Sequence, residues 1–203
     1  LVTGATGNVG REVVRALHAA GVPVRTASTD PARARGLPPD VARVRLDVAD
    51  PATMAAACAG VEALFLVRPP QVSDAATVTR CVDAAVAAGV RHVVFLSLQG
   101  AGRNPAVPHH TIERHLARLA ADGRLTHVFL RAAFFWQNLS TTHAADVREH
   151  DELLIPAGNG RTAFVDVRDL GDAAARVLTE RTADGVFAHA NRAYECTGRE
   201  ALT

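Results

Sequence analysis

The sequence predicts an α/β protein built on a doubly wound parallel sheet, and three observations carry that expectation. Short apolar runs without polar alternation recur along the chain, as strands buried on both faces require. Between them lie stretches of helical periodicity, opened by Asp-Pro pairs (Asp30-Pro31, Asp50-Pro51) and closed by Gly21, Gly60 and Gly89. The first strand runs straight into Gly4-Ala5-Thr6-Gly7-Asn8-Val9-Gly10 and then into a helix, the opening of a βαβ unit.

Taken in order, a strand at Leu1–Thr3 precedes a helix whose apolar stripe is Val9, Val13, Val14, Leu17 and Ala20. A second strand spans Val22–Ala27, and Asp30-Pro31 starts a helix. A third strand covers Val41–Val48, followed by a helix from Asp50-Pro51 through Ala59. The fourth strand is Ala63–Val67. Ser73 or Asp74 opens a helix carrying Val78, Cys81, Val82 and Val86, and the fifth strand is Val90–Ser97. Pro108 opens the helix His109–Ala121, and Thr126–Arg131 is the sixth strand. Beyond it the rhythm breaks: Phe134, Phe135 and Trp136 precede a helix reaching about His150, and Leu153-Leu154-Ile155 leads into a Gly-rich loop, Pro156–Arg161. Then come Phe164–Val167, a helix Asp169–Leu178, and short strands near Val186–His189 and Tyr194–Cys196. The expected division is a nucleotide-binding domain at 1–133, and the remaining sheet elements with a small, partly truncated substrate-side lobe at 134–203.

Composition bounds the function. The chain has 203 residues with 22 basic against 21 acidic, too balanced for a polyanion-binding field, so neither nucleic acid nor a membrane is an expected partner. Every basic residue is Arg, so no lysine is available for catalysis. Cys58, Cys81 and Cys196 are odd in number and form no CxxC, which predicts no disulfide framework or zinc site and fits a reducing cytoplasm. The chain begins at Leu1 without an initiator Met and ends, at Gly198–Thr203, in what reads as the start of another element, so both ends are expected to be cut.

A strand, a glycine turn and a helix N-terminus make a phosphate site, because unpaired N–H groups and the helix dipole both favour an anion. Gly4, Thr6, Gly7, Asn8, Val9 and Gly10 are therefore candidate contacts to a dinucleotide, with GxxGxxG spacing where GxGxxG is the standard pattern. Asp30 stands where a ribose-binding acid would, but its Asp-Pro context favours capping. Ser28, Thr29 and Arg33 are the alternative, a cradle for a 2′-phosphate, which tilts the expectation to NADP(H) over NAD(H). Asp47 and Val48 are candidates to bracket the adenine, with a plain strand-end turn as the other reading. His109, His110, Glu113 and His115 do not put three ligands on one helix face, so no metal is expected.

Several runs together resemble one family: TGATGNVG, the triplet Leu46-Asp47-Val48, SLQGAGRNPAVPHHTIERHL, FLRAAFFWQNL and PAGNGRTAFVDVRDL. They resemble NmrA-like proteins, atypical short-chain dehydrogenase/reductases, over essentially the whole chain. The resemblance implies a Rossmann fold, a bound NAD(P)(H), and reduction of quinones or small carbonyl compounds or else redox sensing. It also implies further residues beyond Thr203 that complete the substrate lobe. Two departures stand out. The Tyr-x-x-x-Lys pair of short-chain dehydrogenases is replaced by His110-Thr111-Ile112-Glu113-Arg114, and Thr29 stands where relatives often carry Arg, which weakens the NADP(H) reading.

From these residues the expected chemistry is hydride transfer to a quinone, carbonyl or enone. Ser97, ending the fifth strand, is a candidate to hydrogen-bond the substrate oxygen, and His110 is a candidate proton donor near neutral pH. Arg114 is a candidate for ribose or phosphate. Val67 and Arg68 border the cofactor crevice, while Phe135, Trp136 and Asn138 are candidates for the substrate pocket, core packing being the alternative for the aromatics. The expected partners are thus the dinucleotide and a small-molecule substrate, with homodimerisation left open. The rival function is a non-catalytic NAD(P) sensor acting through protein partners; an epimerase is disfavoured because it leans on the absent tyrosine.

Overall fold

The computed structural model describes residues 1–152 and 160–202. Seven parallel strands form the main sheet: β1 (Val2–Thr3), β2 (Arg25–Ser28), β3 (Ala42–Arg45), β4 (Ala63–Val67), β5 (His92–Leu98), β6 (Thr126–Ala132) and, far along the chain, β9 (Arg192–Cys196). Their order is β3-β2-β1-β4-β5-β6-β9, so chain direction across the sheet reverses between β1 and β4. That switch point is where open α/β sheets bind ligands, at the carboxyl ends of the strands. The doubly wound sheet expected from the sequence is the observed one.

Period-two alternation divides the core. Phe65 and Val94 point to the layer filled by α1 (Asn8–Ala19) and α6 (Val167–Thr179), whereas Leu64, Leu66, Val93 and Phe95 point to α2 (Pro51–Ala57), α3 (Ala75–Ala87) and α4 (Pro108–Ala121). Aspartates cap α2, α3 and α6: Asp50 accepts from the Ala52 amide, Asp74 from Thr77 and Asp166 from Arg168. Asp30 accepts from the amides of Ala32 and Arg33, which is the capping role its Pro neighbour suggests; the helix it opens is a single 3-10 turn, Pro31–Arg33.

Several expected boundaries shift for local reasons. Val22–Val24 stays outside β2, because Pro23 has no amide to lend the ladder. Leu46–Val48 leaves β3, because the Asp47 amide donates to Thr53 Oγ1 at 3.0 Å and its carboxylate accepts from Ala49 at 2.9 Å. The Asp50-Pro51 helix stops at Ala57, and α6 starts at Val167 because Asp166 caps it. Val186–His189 is not a strand: it makes one isolated antiparallel bridge, Arg181 to Phe187, and Phe187 is buried by stacking on His92 at 3.8 Å.

After β6 a second, three-stranded sheet forms, in the order β10 (Ala201–Leu202), β8 (Thr162–Val165), β7 (Phe134–Phe135). The single helix expected up to His150 is instead a 3-10 turn, Trp136–Leu139, followed by α5 (Ala144–Glu149). Leu153-Leu154-Ile155 and most of the Gly-rich loop after it lie outside the described residues. Among the described residues no helix is long and apolar enough to cross a membrane, and no group of three or more His, Cys, Asp or Glu is arranged to hold a metal.

Candidate functional site

At the switch point, Gly4 adopts φ +60° and its carbonyl accepts from the Gly7 amide at 2.9 Å. The chain then enters α1 so close to its own turn that a β-carbon on Gly10 would stand 2.1 Å from the Gly4 oxygen. Only glycine fits there. Unlike α2, α3 and α6, α1 has no side-chain cap at its N-cap, Gly7, and unlike α6 it has no acid in its first turn. Its first amides and its dipole are thus left for an anion, and this is the observation that fits a dinucleotide diphosphate to the residues present.

The turn opens on a crevice of about 650 Å³. Gly4, Thr6, Gly7, Asn8, Val9 and Gly10 line it from one side, Ser28 and Thr29 from the end of β2, Asp47 and Val48 from beyond β3, and Val67 from the end of β4. Leu46, of the Leu46-Asp47-Val48 triplet, lines it too, as do Gln71, Val72 and Leu96, which had not been singled out in the sequence. Phe135 and Asn138 close it from the second sheet, and Asn8 Nδ2 reaches Thr141 Oγ1 at 3.4 Å across the two parts.

Two smaller clefts adjoin this crevice. The first, about 370 Å³, shares Thr6, Ser28 and Thr29 with it and is walled by Arg11, Arg33 and Arg35. Arg33 also pairs with Asp30 at 3.3 Å and is largely exposed. Arg11 and Arg35 gave no sequence signal, since neither belongs to the glycine pattern or the strand end. The second cleft, about 480 Å³, shares Val67, Pro70, Leu96, Phe135 and Asn138 with the crevice and adds Arg68, Ser97, His109 and Phe134.

Ser97 is 4% exposed and its hydroxyl donates to Glu113 Oε1 at 2.7 Å; Glu113 in turn accepts from Arg131. His110 and Arg114 line none of these clefts. The i, i+4 spacing does put them on one face of α4, but it is the face turned from the crevice: His110 Nδ1 bonds the Ala101 carbonyl oxygen at 2.9 Å and Arg114 is exposed. His109 is the histidine that faces in. Burial, reinforced by the nearby Arg68 charge, pushes its pKa down to about 4. The signal was present in the sequence: His109, Ile112, Glu113 and Leu116 fall at i, i+3, i+4 and i+7, and the last three are buried.

Trp136 lies outside all three clefts, 43% exposed and stacked on Phe164 at 4.4 Å. Gln137 binds within the protein, Nε2 donating to Asp166 at 2.9 Å and Oε1 accepting from the Val167 amide at 3.1 Å. A separate cavity of about 610 Å³, lined by Leu1, Val22, Glu62 and Arg181, lies at the amino-terminal edge of the sheet, away from the switch point.

Comparison with known proteins agrees with this geometry. Residues 4–181 match the family described as NAD(P)H-binding. The chain is 34% identical over 207 residues to an NAD(P)H azoreductase of Xenophilus azovorans, an alignment covering all of this chain and 69% of that protein. Among solved structures, triphenylmethane reductase of Citrobacter sp., complexed with NADP(H), superposes with a TM-score of 0.81 at 26% identity, covering 100% of this chain and 70% of the other. The NADPH-dependent quinone oxidoreductase of Escherichia coli, complexed with NADPH, superposes with a TM-score of 0.80 at 29% identity, covering 99% and 70%. With a Rossmann sheet, an uncapped glycine turn and these relatives, the chain belongs to the NAD(P)H-binding family of NmrA-like, atypical short-chain dehydrogenase/reductases.

Proposed function

We propose that the protein is an NADPH-dependent reductase of small, planar, electron-poor acceptors, quinones first among them. The observation that carries this reading is the pair of contiguous clefts at the switch point, one edged by an uncapped helix and the other by aromatic and polar side chains, with Phe135 and Asn138 in their common wall. A protein that only sensed the dinucleotide would need no such second cleft. The relatives support it as well, being reductases of azo, triphenylmethane and quinone compounds, all extended conjugated acceptors.

When bound, the reduced nicotinamide supplies a hydride equivalent. The chain's own residues bind and orient. Backbone amides at Asn8, Val9 and Gly10 hold the diphosphate, and Asp47 and Val48 flank the adenine. Arg11, Arg33 and Arg35, with Ser28 and Thr29, surround the 2′-phosphate; three arginines compensate for the Thr at position 29 and favour NADPH over NADH. Val67, Phe135 and Asn138 shield the reacting end from water. Ser97 holds Glu113 in place, its proton being committed there. A conjugated acceptor also suits a chain without the Tyr/Lys pair, because its reduction yields a delocalised anion far less basic than an alkoxide and makes less demand on a side-chain acid.

Cys58, Cys81 and Cys196 are free thiols, and burial pushes each pKa up to about 11. Fluorescence titration with NADPH and NADH, followed by turnover with a panel of quinones, tests the function. Tighter NADPH binding and quinone-dependent oxidation are expected; absence of binding by either nucleotide would overturn the reading.

A further inference from the structure

Two side chains that line the cleft beside the crevice each carry a buried nitrogen that finds no hydrogen-bond partner among the described residues. His109, at the second residue of α4, lies against Phe95 with ring centroids 5.7 Å apart and an interplanar angle of 26°, and its Nδ1 is buried without a hydrogen-bond partner among the described residues. Arg68 follows directly on β4; its Nη1 donates to the carbonyls of Pro69 and Val72, while its Nε is buried and likewise unpartnered. Both side chains line the same cleft, whose other walls include the apolar Leu96, Phe134 and Phe135. Buried polar groups are nearly always satisfied, so two unsatisfied ones in one cleft point to a ligand with a hydrogen-bond acceptor there.

We propose that His109 and Arg68 form the subsite that anchors the acceptor atom of the substrate, His109 donating a hydrogen bond to the oxygen or nitrogen on which negative charge gathers as hydride reaches carbon. This rests on the reductase reading above and specifies where and how that substrate is held.

The charged groups around His109 decide its form. Arg68 disfavours a second positive charge; Glu113, one turn along α4, favours it, but already accepts two hydrogen bonds from Arg131. Burial outweighs both, so the ring is neutral near pH 7. A neutral imidazole donates a hydrogen bond without giving up its proton. The balance is then complete for a quinone. A bound reduced nicotinamide would supply hydride, two electrons and a proton, to a ring carbon. The displaced π pair would rest as an enolate on the oxygen held by His109 and Arg68, water would protonate that oxygen, and transfer of the new carbon-bound proton to the second oxygen through water would aromatise the ring to the hydroquinone. An unconjugated ketone would gather a localised, strongly basic alkoxide that two hydrogen bonds stabilise poorly, so such ketones are expected to be poor substrates.

Three variants test the subsite. His109→Phe keeps a ring against Phe95 and removes the N–H, His109→Gln restores a neutral donor, and Arg68→Met removes the guanidinium. Picrate, a phenolate that stays ionised, serves as the probe: its affinity for the NADP⁺-saturated protein is read by difference absorbance. Picrate affinity is expected to fall about tenfold in His109→Phe and in Arg68→Met and to recover in His109→Gln. Quinone turnover by His109→Phe is expected to fall about a hundredfold with NADPH affinity retained, and wild-type kcat to show no histidine-like step between about pH 5.5 and 8. Wild-type picrate affinity and turnover in His109→Phe would overturn the proposal. A wild-type protein that binds NADPH, reduces no quinone, and still loses picrate through these substitutions would keep the subsite and overturn the reductase reading alone.

Discussion

Arg131 holds Glu113 by both carboxylate oxygens, Nε to Oε1 at 3.0 Å and Nη2 to Oε2 at 2.7 Å, so β6 is tied to α4 by a two-point ion pair beneath the second cleft. Glu113 is 4% exposed and accepts from Ser97 as well. Removing one partner of such a pair strands the other charge. Arg131→Met is expected to cost about 3 kcal/mol of stability, read as a lowered urea midpoint; a shift within error of wild type would mean the pair contributes nothing.

Gly10→Ala tests the approach of α1 to the glycine turn. The new β-carbon would meet only backbone, Gly4 O at 2.1 Å and Gly4 C at 2.7 Å, so no side chain can swing away. The helix must retreat instead. We expect about 2 kcal/mol of destabilisation and loss of measurable NADPH binding by fluorescence. Unchanged affinity would show that the crevice does not use the amides of this turn.

Arg11→Ala and Arg35→Ala should each weaken NADPH about tenfold while leaving NADH affinity unaltered, because only the phosphorylated ribose brings a charge for them to meet. Arg33→Ala should matter less, its guanidinium being shared with Asp30 and open to solvent. Parallel titrations with the two nucleotides decide it, and equal losses for both would place these arginines elsewhere in recognition.

His92 makes the fold acid-sensitive. It is fully buried, with Nδ1 at Thr126 Oγ1 and Nε2 at the Val177 carbonyl, and burial lowers its pKa to about 4 from an unfolded value of 6.5. Between those values the unfolded chain binds the extra proton and the folded one does not, so stability is full above pH 6.5 and declines as pH falls toward 4. The loss amounts to about 3 kcal/mol over that range. Urea midpoints measured from pH 7 to pH 4 should fall by at least this much, buried His109 and His127 adding shares of the same sign, and His92→Leu should remove the His92 share while lowering stability at pH 7.

How much of this was legible in the sequence depended on the range of the interaction. Asp30, Asp50 and Asp74, with the glycines that close the helices, are local signals, and they placed the strands β1 to β6 and the crevice between β1 and β4. That Arg192–Cys196 would lie parallel to β6 is a pairing across some sixty residues, with Val128 opposite Arg192, and no local pattern encodes it. His109 and His110 are neighbours about 100° apart around α4; the choice between them lay in the apolar stripe through Ile112 and Leu116, which a motif-centred reading passes over. Arg11 and Arg35 wall one cleft only because the turn after β2 folds back over α1, where a β-carbon on Gly36 would stand 3.6 Å from the Arg11 guanidinium.

The bare N-terminus of α1 also bears on folding. A helix that packs against α6 in the core yet begins with unsatisfied amides is an unfinished element, and a phosphate-bearing ligand finishes it. The dinucleotide is then a structural part as well as a reagent. Its supply sets how much of the protein survives heat or proteolysis, by RT ln(1 + [L]/Kd), about 2.7 kcal/mol at a hundredfold excess over Kd. Depletion of the nucleotide would narrow the protein's stability margin along with its turnover.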